Sequence, residues 1–187
     1  MVIGITGSIA SGKSLVSNYL IKKGFKVIDA DKIAKEVFEK KLKKIKKLFP
    51  NALIGGKIDK KQIALEIFNS KENKEKLENL IHPLVFRKIK QNIKENKERL
   101  IFVDLPLLYE TNSVNLFDKV VVVYVTKDIQ VKRLMERDNI DESYALKKIV
   151  SQKSMEEKKN EADFVIDNSK TQEETFRQVD EVLEKIK

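Results

Sequence analysis

Residues 7–14 carry the clearest chemical signal in the chain. Their sequence, Gly-Ser-Ile-Ala-Ser-Gly-Lys-Ser, matches the phosphate-binding pattern G-x-x-x-x-G-K-[ST] at every fixed position. The two glycines allow backbone torsions and a close approach that a Cβ would block, so the loop N–H groups can bind phosphate oxygens at a helix N-terminus. Lys13 is expected to reach the β- and γ-phosphates, and the Ser14 hydroxyl is expected to bind Mg²⁺.

We therefore predict a nucleotide site built from consecutive residues between a strand and a helix. Its members are Gly7, Ser8, Ile9, Ala10, Ser11, Gly12, Lys13, Ser14 and Leu15. A glycine-rich turn without a ligand is the alternative. The full match and the flanking strand and helix patterns disfavour that alternative.

Acidic residues that follow apolar runs are the next candidates. Asp104 ends the run Leu100–Val103, a Walker-B-like pattern that would place its carboxylate at the carboxyl edge of a parallel sheet. There it could contact substrate or hold Mg²⁺, directly or through water. Asp29 and Asp31 follow another apolar run, and either could accept the proton of an acceptor hydroxyl or merely cap a helix. Chemistry alone leaves these two aspartates as alternatives.

Alternating strands and helices must position these residues. The apolar segments that lack polar alternation predict strands buried on both faces. These segments are Val2–Thr6, Lys26–Asp29, Leu100–Asp104, Val120–Val125 and Phe164–Asp167. Helical patterns separate them, including Lys13–Lys23 and Thr171–Lys185, the latter opening on the spacing of a capping box. The pattern predicts an α/β fold with a parallel sheet and right-handed crossovers.

About 70 residues separate the second predicted strand from the third, too many for a bare loop. Helices are predicted there at roughly 30–48, 60–69, 71–80 and 83–97. We expect a helical insertion over 35–99 beside a core made of 1–34, 100–126 and 159–187. A helical hairpin at 127–158 carries Arg133 and Arg137 and is predicted to form a lid.

The excess of basic over acidic side chains is confined to the insertion. Of the net charge of +9, residues 35–99 contribute 19 basic and 9 acidic side chains, and the rest of the chain is close to neutral. Such a field attracts polyanions, although lysines on solvated helix faces would give the same count. With 7% aromatic residues and no recognisable nucleic-acid motif, no nucleic-acid partner is expected.

Composition excludes several classes of site. The chain has no cysteine, which rules out disulfides, thiolate nucleophiles and iron–sulfur clusters, and its single histidine rules out multi-histidine metal centres. The longest apolar run is too short to span a membrane, and residues 1–5 lack the basic-then-apolar pattern of a secretory leader, so we do not expect secretion. We expect a cytoplasmic protein without a membrane partner, and a monomer.

The nucleotide chemistry favours a kinase. The Asn-Lys pairs at 73–76 and 96–99 lack the aspartate of the guanine-reading N-K-x-D motif. A small phosphate-loop protein with a helical insertion and an arginine-bearing hairpin is typical of nucleotide and metabolite kinases, which close over two substrates to exclude water.

Several blocks of sequence resemble the dephospho-coenzyme A kinase family, in the same order and with similar spacing along nearly the whole chain. They are residues 4–14 (GITGSIASGKS), 27–31 (VIDAD), 81–85 (IHPLV), 103–110 (VDLPLLYE), 133–138 (RLMERD) and 162–168 (ADFVIDN). The phosphate-binding motif is shared by many families, whereas the other blocks together are far more specific. The resemblance implies a P-loop NTPase fold whose five-stranded parallel sheet is flanked by helices, with a helical coenzyme A-binding insertion and a helical lid.

The resemblance also implies an activity and roles for residues. ATP would donate its γ-phosphate, with Mg²⁺ as cofactor, to the ribose 3′-hydroxyl of dephospho-coenzyme A. Carried over by motif, Asp31 is the catalytic base or acceptor-orienting carboxylate, with Lys13 and Arg137 as further catalytic residues. Arg137 would face the transferring phosphate from the lid, and Arg133 would lie near the nucleotide. His82 would contact the acceptor in the insertion, although a structural role is the alternative.

Two positions depart from the family pattern. Lys60 stands in Ile58-Asp59-Lys60 where the family usually has arginine, so a bidentate phosphate contact is lost there. Lys153 follows Gln152 where the family often has methionine, which puts an apolar adenine contact in doubt. The remaining alternatives are a kinase for a nucleoside monophosphate or another small metabolite, and a nucleotide-gated nucleic-acid-binding protein.

Overall fold

The computed structural model describes residues 1–186, which form two compact units. One unit comprises Met1–Asp29 and the chain from Asn96 onward, and the other comprises Ala30–Glu95. The strands are β1 (Val2–Gly7), β2 (Lys26–Asp29), β3 (Leu53–Ile54), β4 (Lys57–Ile58), β5 (Ile101–Asp104), β6 (Lys119–Tyr124) and β7 (Phe164–Asp167). The helices are α1 (Lys13–Lys22), α2 (Ala30–Lys40), α3 (Leu42–Leu48), α4 (Lys60–Asn69), α5 (Lys71–Glu95), α6 (Lys127–Asp138), α7 (Glu142–Val150), α8 (Met155–Glu161) and α9 (Gln172–Ile186), with 3₁₀ turns at Pro50–Ala52 and Val114–Leu116.

The first unit is built on a parallel sheet in the order β2-β5-β1-β6-β7. Its three central strands are almost wholly buried, as their unbroken apolar runs predict. The register pairs Ile5 of β1 and Asp29 of β2 with Asp104 of β5, and Gly7 of β1 with Val123 of β6. The carboxyl ends of neighbouring strands therefore meet at one edge of the sheet. The five-stranded parallel sheet flanked by helices confirms the predicted fold class.

One face of the sheet is covered by α1 and α9. Side chains from β1, β5 and β6 form a core with both helices, anchored by Ile3, Ile5, Phe102 and Val121. The rings of Tyr19 and Phe176, one from each helix, stack with 3.9 Å between their centroids. The predicted capping box before α9 is present, because Thr171 and Glu174 each bond the backbone N–H of the other.

The second unit is mainly helical, with α2 and α4 packed against the long helix α5. The sequence predicted a helix break near 80–83, and that prediction is wrong, since α5 continues through Pro83. The buried residues Ile81, Val85 and Ile89 follow one another at four-residue spacing. This continuous apolar stripe holds the helix together while the exposed proline removes a single backbone donor.

Two further local predictions need correction. The helix expected over 30–48 is interrupted at Lys41, so that α2 and α3 are separate. Before α4, the chain forms the short hairpin β3–β4, whose turn residues Gly55 and Gly56 have φ angles of 56° and 74°. Two consecutive residues with positive φ are the requirement of a type I′ turn, which glycine meets without strain.

The segment 127–158 contains three helices (α6, α7 and the start of α8) rather than a two-helix hairpin. Val131 and Leu134 of α6 pack against Ala145 of α7 in a small core. A capping box formed by Ser154 and Glu157 starts α8. Within residues 1–186, no helix combines the length and the apolar character needed to cross a membrane.

Candidate active site

The phosphate loop lies between β1 and α1, as the sequence predicted. Gly12 has a φ of 84°, and a Cβ built on it would lie 1.9 Å from Asn168 Nδ2. Gly7 has no positive φ, but a Cβ there would lie 2.5 Å from Ser11 Oγ and 2.9 Å from the Val123 carbonyl oxygen. Gly12 is therefore required by both torsion and space, and Gly7 by space alone.

The remaining loop residues form a tight turn. Ser11 donates its N–H to the Ser8 carbonyl at 3.1 Å, and Leu15 donates its N–H to the Gly12 carbonyl at 2.9 Å. Ala10 has a φ of 60°, an unusual left-handed conformation for a residue other than glycine. Ser14 lies exposed in the first turn of α1, where its hydroxyl is open to a ligand.

Lys13 and Asp104 are brought together as an ion pair. The Lys13 ammonium donates to Oδ1 of Asp104, and the hydroxyl of the buried Ser17 donates to Oδ2 at 2.7 Å. Asp104 is only 7% exposed, so both of its oxygens are supplied with donors, as a buried carboxylate requires. A bound triphosphate would compete with Asp104 for the Lys13 ammonium.

The two aspartates that are alternatives for the catalytic role, Asp29 and Asp31, lie where β2 ends and α2 begins. Asp29 is the last residue of β2, in register with Asp104. Asp31 lies in the first turn of α2, where a carboxylate interacts favourably with the helix dipole. Their catalytic roles stay predictions.

The two arginines of α6 have different surroundings. Arg133 Nη1 lies 3.8 Å from the position that a Cβ on Gly12 would occupy, so its guanidinium faces the phosphate loop. Arg137 is half-exposed and donates from Nε to Asp138 Oδ1 at 2.8 Å. Arg137, and then Lys148 of α7, lower the pKa of the Asp138 carboxyl to about 2. The structure therefore places Arg133 beside the loop and Arg137 in an ion pair at the end of α6.

His82 belongs to the helical unit. Its ring meets Phe86 edge-on with 6.2 Å between centroids, and it borders a cavity of about 420 Å³ lined by α2, α4 and α5. Lys60 borders the same cavity, where its ammonium pairs with Glu39 and lies 5.4 Å from the ring centroid of Phe38. The cavity thus combines apolar walls with cationic and imidazole groups.

Side chains distant in sequence hold the phosphate loop. Gln130 of α6 donates from Nε2 to the Ile9 carbonyl at 2.7 Å. Oε1 of Gln152 accepts from the Ser8 hydroxyl at 2.7 Å and from the Ile9 N–H at 2.8 Å. Asn168, just beyond β7, donates from Nδ2 to the Ser11 carbonyl at 2.8 Å. The sequence predicted no role in the loop for Gln130 or Gln152, and Asn168 stood out only as the last residue of the block 162–168.

A buried cation lies beneath the loop. Lys158 of α8 has no exposed side-chain surface and pairs with Glu110 Oε1 at 2.8 Å. Its ammonium also lies 3.4 Å from the carbonyl oxygens of Gly7 and Pro106. Burial lowers the pKa of Lys158, and the bond to Glu110 opposes that effect. The end of β1 and the segment after β5 are thereby tied to α8.

The residues near the loop suit a magnesium ion that is bound mainly by phosphates. Within residues 1–186 there is no cluster of three or more histidine, aspartate or glutamate side chains that could hold a metal. Mg²⁺ in such sites keeps several waters and takes one or two protein oxygens together with substrate phosphates. The hydroxyl of Ser14 and the carboxylate of Asp104 are the protein oxygens that would hold such an ion.

A phosphate loop after the central strand of a parallel sheet, with its lysine against a strand-end carboxylate, defines a P-loop NTPase fold. A family model for dephospho-CoA kinase matches residues 1–174. A dephospho-CoA kinase from Fusobacterium nucleatum is 43% identical over 190 residues, covering 100% of this chain and 98% of the relative. The chain belongs to the dephospho-CoA kinase family, which confirms the resemblance found in the sequence.

Solved structures agree in fold. A crystal structure from Thermus thermophilus matches with a TM-score of 0.91 at 32% identity, covering 100% of this chain and 98% of the other. A dephospho-CoA kinase from Campylobacter jejuni matches with a TM-score of 0.74 at 34% identity, covering 99% of this chain and 96% of the other. The match extends over both units of the chain.

Proposed function

We propose that the chain transfers the γ-phosphate of ATP to the ribose 3′-hydroxyl of dephospho-coenzyme A, giving coenzyme A and ADP. The observation that carries this proposal is a complete phosphate loop, with Lys13 and Asp104 in contact, in a chain that matches dephospho-CoA kinases over its whole length. The other kinase activities and the nucleic-acid-binding alternative are not favoured.

The loop would hold the nucleotide by its phosphates. Within residues 7–15, the N–H groups of Ala10, Gly12, Lys13 and Ser14 are open at the start of α1, where the helix dipole favours negative charge. Lys13 would exchange the Asp104 carboxylate for phosphate oxygens as ATP enters. Asp104 would then keep its bond from Ser17 and face the phosphates, together with Ser14, as an oxygen donor for Mg²⁺. When bound there, Mg²⁺ would offset the charge of the β- and γ-phosphates.

The acceptor would be aligned by a carboxylate. By its position in the motif, Asp31 is the residue we propose to orient the 3′-hydroxyl and accept its proton, with Asp29 as the alternative. Phosphoryl transfer passes through a loose transition state, so alignment of the hydroxyl contributes more than its deprotonation. We propose that the acceptor binds in the cavity of the helical unit, whose lining includes His82, Lys35 and Lys60.

The arginines would offset charge on the transferring group. Arg133 already faces Gly12, which supports a contact with the nucleotide. Arg137 is paired with Asp138, and we propose that it exchanges this partner for the phosphate when the lid segment closes. Such an exchange is inexpensive because an exposed ion pair contributes little stability.

The direct test is ADP release from ATP with and without dephospho-coenzyme A. We expect release to depend on dephospho-coenzyme A and to be lost in Lys13→Met. Turnover with nucleoside monophosphates, but none with dephospho-coenzyme A, would contradict the proposal. We also propose a Mg²⁺ requirement, tested by chelation, a monomeric state, tested by sedimentation, and a cytoplasmic location, tested by cell fractionation.

A further inference from the structure

We propose that Gln130 and Asn168 are positioning residues, each of which aims one N–H of the phosphate loop at the nucleotide by holding the carbonyl of the same peptide group. The proposal rests on the proposed function, because it requires that nucleotide phosphates bind in this loop. It concerns residues far from the loop in sequence.

The peptide group is planar and rigid, so its two polar ends turn together. The carbonyl of one residue and the N–H of the next lie in one plane and, in the trans form, point in opposite directions. A side chain that fixes such a carbonyl therefore also fixes the direction of the following N–H. A donor held in its binding direction before the ligand arrives loses little freedom on binding.

Gln130 fixes the peptide group between Ile9 and Ala10. Its side chain is 2% exposed and donates from Nε2 to the Ile9 carbonyl at 2.7 Å, so the Ala10 N–H points away from Gln130. Ala10 has a φ of 60°, which an alanine keeps only where its surroundings determine it. The Ile9 N–H is held as well, by Oε1 of Gln152 at 2.8 Å.

Asn168 fixes the peptide group between Ser11 and Gly12. Its Nδ2 donates to the Ser11 carbonyl at 2.8 Å, and its Oδ1 accepts from the buried Thr175 hydroxyl at 2.9 Å. The amide orientation follows from these partners, since only the nitrogen can donate to a carbonyl. The backbone N–H of Asn168 donates to the Tyr124 carbonyl at 2.8 Å. This bond anchors the backbone from which the Asn168 side chain extends to the end of β6.

Some of the loop N–H groups are bonded inside the protein, and others are open to a ligand. Those of Ile9 and Ser11 bond to Gln152 and to the Ser8 carbonyl, inside the protein. Those of Ala10 and Gly12 bond to no acceptor within residues 1–186. The N–H groups of Lys13 and Ser14, in the first turn of α1, are open as well. Ala10 and Gly12 thus supply the open donors outside the helix, and theirs are the peptide groups that Gln130 and Asn168 hold. A row of such amides forms an anion-binding concavity.

The test compares the phosphate-dependent and phosphate-independent parts of nucleotide binding. Gln130→Met keeps the length of the side chain but removes the donor. Asn168→Leu keeps the size of the side chain and adds no charge but removes the donor to Ser11, and the Thr175 hydroxyl keeps the Thr171 carbonyl as a partner. The exposed Gln172 of α9 supplies a matched control, Gln172→Met. Dissociation constants for ADP and for adenosine are measured by calorimetry in each full-length variant, with kcat, KM for ATP and thermal unfolding.

We expect each of the two variants to bind ADP about tenfold more weakly, the value of one hydrogen bond to a charged group, with adenosine affinity unchanged. KM for ATP should rise and kcat should fall, and Gln172→Met should match the wild type. In ¹⁵N NMR spectra, ADP should shift the Ala10 and Gly12 amides of the wild type strongly and those of the variants less.

A purely structural role predicts a different result. If either variant unfolds at a lower temperature but keeps the wild-type ratio of ADP to adenosine affinity, its residue does not position the loop. If Gln130→Met does not fold, the ADP and adenosine affinities of Asn168→Leu and the NMR shifts in the wild type test the proposal. Failure of the wild type to phosphorylate dephospho-coenzyme A would overturn the proposed function, whereas an active wild type with an unchanged affinity ratio in the variants would overturn this inference alone.

Discussion

The substitution Glu110→Gln probes how the protein tolerates a cation beneath its phosphate loop. Lys158 has no exposed side-chain surface, and Glu110 is its carboxylate partner at 2.8 Å. Glutamine keeps the size of the side chain and an oxygen that can accept a hydrogen bond, but it removes the charge. The buried ammonium is then left without a counter-charge.

The expected loss of stability follows from this geometry. Removing one partner of a buried ion pair costs about 3–5 kcal/mol. The Glu110 side chain keeps 21% exposure, so water partly replaces the lost charge and we expect the lower limit, about 3 kcal/mol. At a typical urea dependence of about 2 kcal/mol/M, the unfolding midpoint should fall by about 1.5 M.

The pH dependence provides a second signature. Because burial lowers the pKa of Lys158, the unfolded chain binds this proton more tightly than the folded protein does. Stability therefore increases as the pH rises towards the unfolded lysine value of about 10.4. In Glu110→Gln the raising effect of Glu110 is lost, so the increase between pH 7 and pH 9.5 should be steeper than in the wild type.

Urea unfolding of matched variants tests whether the loss of stability comes from the unpaired charge of Lys158. Lys158→Met combined with Glu110→Gln should recover most of the stability, because no unpaired charge remains. Glu184→Gln, an exposed change on α9, should stay within about 0.5 kcal/mol of the wild type. A Glu110→Gln protein as stable as Glu184→Gln, or a double variant no better than the single one, would refute the reasoning.

Three further outcomes are expected. Asp31→Asn should lower kcat about 10²–10³-fold with ADP affinity unchanged, whereas unaltered turnover would remove Asp31 from the mechanism. Gly12→Ala should weaken ADP binding in calorimetry more than tenfold, since its Cβ would lie 1.9 Å from Asn168 Nδ2 at a φ of 84°, and wild-type affinity would contradict that clash. Asp138 has a folded pKa of about 2, below its unfolded value of about 3.9, so it contributes stability above pH 4 that disappears as the pH falls towards 2. Asp138→Asn should therefore reduce the drop in urea midpoint between pH 5 and pH 3, and an unchanged drop would exclude this role.

The core of the fold could be predicted because its signals are local and strong. The apolar runs of β1, β5 and β6 are long enough to stand out from their surroundings, and the strands occur where those runs lie. The helical unit was harder to predict. The rule that proline begins a helix failed at Pro83, where packing of Ile81 and Val85 determines the structure. Strands of two residues, such as β3 and β4, have no periodic pattern to detect.

The candidate site likewise contains residues that the sequence could predict and residues that it could not. Lys13 was predicted from the phosphate-loop motif, and Asp104 was predicted because a carboxylate ends an apolar strand there. Gln130, Gln152 and Asn168 lie 121, 143 and 157 residues from the loop groups that they bond. Their amide side chains resemble ordinary surface residues in a sequence. The parallel sheet brings Asn168 to the loop at the end of β7, and the packing of α6, α7 and α8 brings Gln130 and Gln152 there.

The central claim, transfer of the ATP γ-phosphate to a ribose hydroxyl, is tested most directly by ³¹P NMR of the reaction products. Incubation with ATP, Mg²⁺ and dephospho-coenzyme A should produce the phosphomonoester signal of a 3′-phosphorylated ribose in an amount equal to the ADP formed. Appearance of inorganic phosphate with ADP, and no new phosphomonoester on the acceptor, would contradict the account.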